Sequence, residues 1–238
     1  MKALIDGDIL VYRVGFGANE ESEGIAASRM DESVNLILEA VHATSRTIFL
    51  TSGDKSNFRN SIYPEYKANR KSPKPIHYDF LRDYLVNAHA AEIVYNEEAD
   101  DAMGYTQSEE NTVICTIDKD LDQIPGLHYN FVKGLLYKVT PQEGLYKFYT
   151  QLLMGDAIDN IPGIPGIGPK KAAKIISLDM REDQMYNTCL MAYTAFYGEI
   201  AEAKMLCFGQ LLKIRTKQGE LWQLKGPDLN TAQDLSVP

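Results

Sequence analysis

The sequence predicts an α/β fold: a parallel sheet with helices on both faces, followed by a smaller helical module. Three observations carry this. Residues 2–6, 47–52, 92–95 and 112–117 are short apolar, β-branched runs of the kind that form buried parallel strands. The segments between them have helical periodicity. From about residue 141 the chain is mostly helical, and no strong linker divides it from the strands.

The elements follow in order. After the first strand, Val34, Leu36, Ile37, Leu38 and Val41 form one apolar helical stripe; Phe80, Leu81, Tyr84 and Leu85 form a second. The stretch from about 52 to 76 differs in texture, being polar, basic and interrupted by Pro64, Pro73 and Pro75. It is too long for a simple connector, and such loops are functional or disordered. Residues 127–140 predict a hairpin turning at Lys133-Gly134. A helix is expected from Lys170 to Ile176, a second hairpin from Lys213 to Leu224 around Lys217-Gln218-Gly219, and a loosely ordered tail beyond Pro227. The expected division is an α/β unit over 1–140, including the 52–76 segment, and a helical module with its tail over 141–238.

A 238-residue chain with 45% hydrophobic and 24% charged residues has the composition of a soluble globular protein. The apolar runs are strand-sized, too short for a membrane span, and the first charged residues come too early for a secretory signal. Cys115, Cys189 and Cys207 are odd in number and form no Cys-x-x-Cys pair. They read as reduced thiols in a cytoplasmic protein, Cys115 as core. A net charge of −9 argues against a nucleic-acid partner, but the charge is segregated. Lys55, Arg59, Lys67, Arg70, Lys71 and Lys74 stand against Glu65 alone, and Lys170, Lys171 and Lys174 form a second basic group. The competing reading of each group is a solvated surface.

Ligands of open α/β sheets bind beyond the carboxyl ends of the strands. Asp6, Asp54, Glu98, Asp100, Asp101, Asp118 and Asp120 are all expected there, with Asp156 and Asp159 in a further cluster. Asp118 and Asp120 are two apart after a strand, so their side chains share a side while Lys119 points away. Packed carboxylates resist ionisation unless something positive holds them, and a hard divalent cation with oxygen ligands is the usual solution. Charges favourable at a helix start explain one or two acids, but not four in Glu97-Glu98-Ala99-Asp100-Asp101. Asp8 is the weakest member, since it could equally cap the following helix. His42, His77, His89 and His128 lack metal-ligand spacing. No Gly-x-Ser-x-Gly elbow or Cys/His nucleophile is visible, which leaves an activated water as nucleophile.

The most specific string runs from Asp156 through Ile161-Pro162-Gly163-Ile164-Pro165-Gly166-Ile167-Gly168-Pro169 to Lys171. Gly163, Gly166 and Gly168 leave backbone N–H groups accessible before a helix, a geometry that binds phosphate. A nucleotide P-loop fails, because Pro169 stands where its lysine is required and no Ser or Thr follows Lys170. A helix–hairpin–helix grip on a DNA backbone fits better, with Lys170, Lys171 and Lys174 supplying sequence-independent attraction.

Together these strings resemble the 5′-nuclease superfamily of flap endonucleases and 5′→3′ exonucleases, and within it the double-strand 5′ exonucleases of short-tailed lytic phages. The matching stretches are Leu4-Ile5-Asp6-Gly7-Asp8, Asn57-Phe58-Arg59, Pro64-Glu65-Tyr66-Lys67-Ala68-Asn69-Arg70-Lys71, Glu98-Ala99-Asp100-Asp101, Thr116-Ile117-Asp118-Lys119-Asp120-Leu121, and Met154-Gly155-Asp156 through Gly168. The resemblance implies a PIN-like, Rossmann-like sheet with a helix–three-turn–helix DNA-binding module. It implies that Asp6, Asp54, Glu98, Asp100, Asp101, Asp118, Asp120, Asp156 and Asp159 hold or orient two Mg²⁺ ions, with Mn²⁺ as an alternative. Lys67 and Arg70 would lie on an arch and clamp the scissile phosphate. Tyr66 would stack on the terminal base. Arg13, Arg59 and Lys71 would contact DNA, and the Gly163–Gly168 turn would grip the duplex and hold K⁺. The expected substrate is DNA with a free 5′ end (duplex, nick or flap, an RNA primer included), cut by a monomer without membrane attachment, in the host cytoplasm if phage-encoded. The short, proline-interrupted arch departs from the pattern and counts against threading a long flap. The rivals are a structure-specific flap endonuclease, a PIN-like ribonuclease, against which the glycine-rich module argues, and a non-catalytic branched-DNA binder, against which the retained acids argue.

Overall fold

Alternating burial along the first strand sets the architecture. In β1 (Lys2–Asp6), Ala3 and Ile5 enter one apolar cluster and Leu4 enters another on the opposite face, all three fully buried. The computed structural model describes residues 1–54 and 56–226; Lys55 of the basic segment and the tail expected beyond Pro227 lie outside them. β2 (Ser45–Thr51), β3 (Glu92–Val94), β4 (Thr112–Cys115), β5 (Gly126–Asn130) and β6 (Leu135–Val139) complete a six-stranded sheet in the order β3-β2-β1-β4-β5-β6. The first five strands run parallel. β6 returns antiparallel from a turn at Gly134, whose φ of 62° suits glycine, so the expected hairpin makes the sheet mixed at one edge.

Helices cover both faces. α1 (Gly7–Gly17), α2 (Glu23–Ala40) and, after the short α3 (Phe58–Ile62), α4 (Tyr78–His89) bury Leu10, Met30, Val34, Leu81 and Leu85 on one side. On the other, α5 (Ala99–Thr106) buries Met103 against Leu4, Phe49 and Ile114. The phase of α2 differs from the expected stripe. Its buried positions are Ala26, Met30, Val34 and Ile37, and Leu36, two positions from Val34 and so across the helix, is exposed.

The remaining helices share a third cluster. α6 (Pro141–Met154) starts at a capping box between Thr140 and Glu143 with proline in its first turn. With α7 (Pro169–Ile175), α8 (Glu182–Tyr197) and α9 (Ala201–Leu212) it buries Phe148, Tyr149, Met185, Tyr193 and Phe208. The hairpin expected over 213–224 does not form. The chain makes a turn closed by Glu220 N–H on the Lys217 carbonyl, then lies along α9. There Gly209 leaves room for the Trp222 ring, and Trp222 meets Phe148 edge-on at 5.5 Å, so packing on the helix replaces strand pairing.

Beyond α3, residues 64–69 of the 52–76 segment are turns fastened to residues 157–160. Lys67 N–H donates to the Asp159 carbonyl at 2.9 Å, Asn69 Nδ2 to the Ala157 carbonyl at 2.7 Å, and Asn160 Nδ2 to the Glu65 carbonyl at 2.8 Å. Tyr66 belongs to the helical cluster. Among the described residues no helix is long and apolar enough to cross a membrane.

Candidate active site

Neighbouring strands β1 and β4 lead away to opposite sides of the sheet, and the crevice at such a switch point is where α/β folds place ligands. Asp6, the last residue of β1, sits there with 3% of its surface exposed. Its Oδ1 accepts the Ile9 N–H at 3.0 Å and its Oδ2 accepts the Thr116 hydroxyl, just past β4, at 2.7 Å. So Asp6, rather than Asp8, caps α1. Asp8 instead accepts the Thr51 N–H at 2.9 Å and Arg82 Nη1 at 2.8 Å, which ties α1 to β2 and α4.

A cleft at this crevice brings together Glu98, Asp100, Asp118, Asp120, Asp156 and Asp159 with Lys67 and Arg70; a second lobe adds Asp6. The acids divide by partner. The outer ones have cations: Glu98 and Asp159 hold Lys67, Asp159 also holds Arg70, and Asp120 meets Lys147 Nζ at 3.0 Å and Gln151 Nε2 at 2.8 Å. Asp6, Asp100 and Asp118 have no cationic partner among the described residues. Burial, then the neighbouring Asp8 and Asp118, push the Asp6 carboxyl up to about 7 against the Ile9 and Thr116 hydrogen bonds. Burial and then Asp6, Asp118 and Glu98 push Asp100 well up. Burial also raises Asp118, and burial with Asp159 raises Asp156. Oxygen donors that repel one another and lack a counter-charge suit a hard divalent cation. Among the described residues no three His, Cys, Asp or Glu side chains are grouped to hold a metal ion as they stand. The residues fit the expected ions by their chemistry.

Several expected residues have other partners or other places, although Arg59 and Tyr66 still border the cleft. Arg59 and Asp101 face each other, 3% and 0% exposed, through two hydrogen bonds, and Arg59 Nε donates to the Leu211 carbonyl at 2.8 Å. Burial pushes the Asp101 carboxyl up, but the Arg59 guanidinium outweighs it and holds it below the usual range. The pair joins α5 to α9; it is neither a metal ligand nor a DNA contact. Asp54 is fully exposed and turned to its own loop, where the Ser52 and Ser56 hydroxyls and the Ser56 N–H bond its Oδ1 and lower its pKa. Tyr66 is 5% exposed, its hydroxyl shared between Glu98 and Asp159 at 3.1 Å, so it orients acids and has no free face for a base. Arg13 points into the groove between α1 and α2, beside Arg29 and Glu32, away from the acids. Gly163 is buried, closed back to back with Gly155, while Gly166, Gly168, Lys170, Lys171 and Lys174 are exposed. In the turn expected to hold K⁺, the Lys171 ammonium occupies the Gly166 carbonyl at 2.8 Å. Lys71 is exposed.

Sequence reasoning missed Lys147, Gln151 and Arg82. Lys147 and Gln151 are four apart on α6 and so share a face, but the sequence does not say that this face meets Asp120. Lys67 has a left-handed backbone, φ 56°, a conformation costly for a side chain and common at functional sites.

Comparisons with known proteins give the chain its relatives. A model of the 5′-3′ exonuclease N-terminal, resolvase-like domain matches residues 1–148. A 5′-3′ exonuclease of Buchnera aphidicola subsp. Schizaphis graminum is 29% identical over 210 residues, 77% of this chain and 72% of its own. The flap endonuclease Xni of Shewanella sp. (strain ANA-3) is 30% identical over 191 residues, 73% of each chain. Among solved structures, a bacteriophage T5 5′-exonuclease with bound zinc superposes with a TM-score of 0.62 at 17% identity, covering 89% of this chain and 98% of that one. A bacteriophage T5 flap endonuclease, in a pseudo-enzyme–product complex with DNA and metal ions, gives 0.59 at 18% identity over 86% and 96%. The mixed, helix-flanked sheet with acids at its strand ends is thus that of a nuclease, and the chain belongs to the 5′-3′ exonuclease family, whose members hydrolyse phosphodiester bonds with divalent metal ions.

Proposed function

We propose that the protein is a 5′→3′ exodeoxyribonuclease that removes nucleotides from the 5′ end of duplex DNA, using two Mg²⁺ ions, in DNA replication or degradation of the phage type. The observation that carries the reading is the set of inner acids, Asp6, Asp100 and Asp118, which form no ion pair among the described residues and lie beneath Lys67 and Arg70. Glu98, Asp120, Asp156 and Asp159 complete the donor set around them. Divalent ions bound there would lower the pKa of a water and offset charge on the phosphate.

The chain's own groups do the rest. Lys67 and Arg70, now paired with Glu98 and Asp159, exchange those carboxylates for phosphate oxygens and stabilise charge that grows in the transition state. Tyr66 holds Glu98 and Asp159 in place, and Asn57 Nδ2 supports Glu98 at 3.0 Å. Lys147 and Gln151 do the same for Asp120. The exposed Gly166 and Gly168 amides with Lys170, Lys171 and Lys174 take the duplex backbone and carry no sequence information.

Exonuclease is favoured over flap endonuclease because residues 65–69 are fastened to 157–160 by three hydrogen bonds, which would have to open before a long single strand could thread beneath them. The relatives named flap endonuclease favour the second reading. A 5′-labelled blunt duplex and a matched 5′-flap duplex, with Mg²⁺ or EDTA, decide between them. Mg²⁺-dependent release of short products from the blunt duplex is expected. Cutting confined to the flap junction would establish the endonuclease. Tight binding without cutting of either would leave a non-catalytic binder.

A further inference from the structure

Residues 213–216 leave α9, the chain turns at Lys217–Glu220, and residues 220–223 come back to the helix. Between the two passes, bordered by Phe58 of α3, lies a cavity of ≈ 250 Å³ that shares only Ile214 with the acidic cleft. Its wall carries two cations, Lys213 and Arg215, and one carboxylate, the exposed Glu220, which Lys217 meets at 3.9 Å. The Lys213 ammonium lies 4.9 Å from the Phe148 ring centroid and pairs with no carboxylate among the described residues. Burial lowers its pKa to about 8, and Glu182, whose charge opposes the fall, is held by Lys225 at 3.2 Å. Arg215 stacks on Phe58, 3.8 Å from the ring centroid, and bonds Glu97 at 2.5 Å, yet its Nε is buried without a partner. Trp222 adds an aromatic wall, fixed by Gln210, whose Nε2 donates to the Trp222 carbonyl at 3.2 Å.

A lysine that only covered Phe148 with its stem would carry its charge out to water. Here the charge stays at the cavity, short of a counter-charge, beside a guanidinium and an indole. That combination selects a small anion with a flat ring: charge-assisted hydrogen bonds for the anion, an aromatic face for the ring. The volume lies just under the range of small-molecule pockets, ~300–1,000 Å³, which admits one small molecule and no polymer. Among small anions with a flat ring, the 5′-mononucleotide is the one that the proposed reaction would release.

We propose that this cavity binds a free 5′-mononucleotide, with its phosphate on Lys213 and its base against Trp222. The choice of ligand rests on the nuclease reading, and binding without DNA or metal tests it apart from cleavage. Trp222 is the only tryptophan of the chain, so its fluorescence reports on this cavity. Titration of the full chain in EDTA with thymidine 5′-monophosphate is expected to shift that emission. Thymidine and inorganic phosphate should each bind at least about tenfold more weakly, equivalent to about 1.4 kcal/mol. Lys213→Met, which keeps an apolar stem over Phe148, should weaken nucleotide binding by a similar factor, and Lys213→Arg should restore it. Lys67→Ala should leave the titration unchanged, because the acidic cleft is a separate site. Binding seen by calorimetry with an unmoved tryptophan signal would place the nucleotide elsewhere and overturn the assignment. So would a response lost in Lys67→Ala and kept in Lys213→Met, equal affinity for thymidine or for phosphate, or no binding at all. Adding Mg²⁺ and a 5′-labelled duplex reads cleavage separately. Nucleotide binding without cleavage would keep the site and remove the nuclease reading; cleavage without nucleotide binding would do the reverse.

Discussion

Asp118 and Asp101 show how two carboxylates of the same sequence texture take opposite roles. The Asp118 carboxyl is raised by burial and has no cationic partner among the described residues, so removing its charge strips the site of a donor without breaking an ion pair that holds the fold. Asp118→Asn is therefore expected to lower the single-turnover cleavage rate by at least about a hundredfold, the scale of losing one electrostatic contact to a transition state. DNA affinity in EDTA should be retained. Wild-type cleavage by the purified variant would sink the metal assignment. Asp101 is tied to Arg59 in a buried pair, and removing one member leaves an uncompensated charge. Arg59→Ala should destabilise the fold by about 3–5 kcal/mol in urea unfolding, whereas a DNA-contacting Arg59 would leave stability untouched. Asp6 supplies a pH signature. Its folded pKa, about 7, lies above the ordinary 3.8, so between these values the folded state holds a proton that the unfolded chain has lost. The Asp6 contribution to the stability of the metal-free protein is then full below 3.8, declines as pH rises through that window, and is gone above about 7. Mg²⁺ competes for the same carboxylates, so added Mg²⁺ should raise the melting temperature more at the upper end of the window than at the lower. A metal response independent of pH would contradict the assignment of Asp6.

At the scale of elements, the glycine turn makes two different uses of glycine. Gly163, at φ 60°, would drive a Cβ to 2.2 Å from the Gly155 nitrogen, while Gly166, at φ 82°, faces open space. Gly163→Ala should cost about 3 kcal/mol or more by overpacking and weaken duplex binding through collapse of the turn. Gly166→Ala should cost about 1–2 kcal/mol, the backbone penalty alone. Equal losses in a denaturation series would mean that the back-to-back closure is not what holds the turn. The sequence made this element legible because proline and glycine impose their conformations locally, and it made four of the five parallel strands legible because buried strands are continuous apolar runs. It placed Asp6, Glu98, Asp100 and Asp118 at strand ends for the same reason. It could not separate Asp101 from Asp100: adjacent residues on a helix point about a quarter-turn apart, and only the packing of α9 shows which one meets Arg59. Nor could it tell that Tyr66 and Arg59, both in an evidently basic, polar segment, turn inward. That outcome depends on residues 93 and 42 positions away, Asp159 and Asp101. The missing C-terminal hairpin has the same cause, since Trp222 finds its partner at Gly209 on another element.

The whole molecule carries a net charge of −9, yet it belongs to a family of nucleases, and the distribution of charge reconciles the two. Much of the acid charge converges on one cleft, where bound divalent ions would offset it. The cations stand at its rim and along the exposed glycine turn, where they would meet a phosphate backbone first. Lys170, Lys171 and Lys174 are exposed and pair with no carboxylate among the described residues, so their release of counterions from DNA is not diminished by a competing partner in the chain. Each phosphate neutralised contributes about 0.9 to the slope of log affinity against log salt. Replacing all three lysines with alanine should flatten that slope by about 2–3 and weaken binding evenly across DNA sequences. Lys171 sets where in this range the result falls, because its ammonium must leave the Gly166 carbonyl to reach a phosphate. A variant with unchanged salt slope but impaired cleavage would show that the turn positions the strand without binding it, and would move the duplex contact to the rim of the cleft. There Arg70 and Lys71 would have to supply the same charge, and the corresponding loss of slope should appear when they are replaced instead.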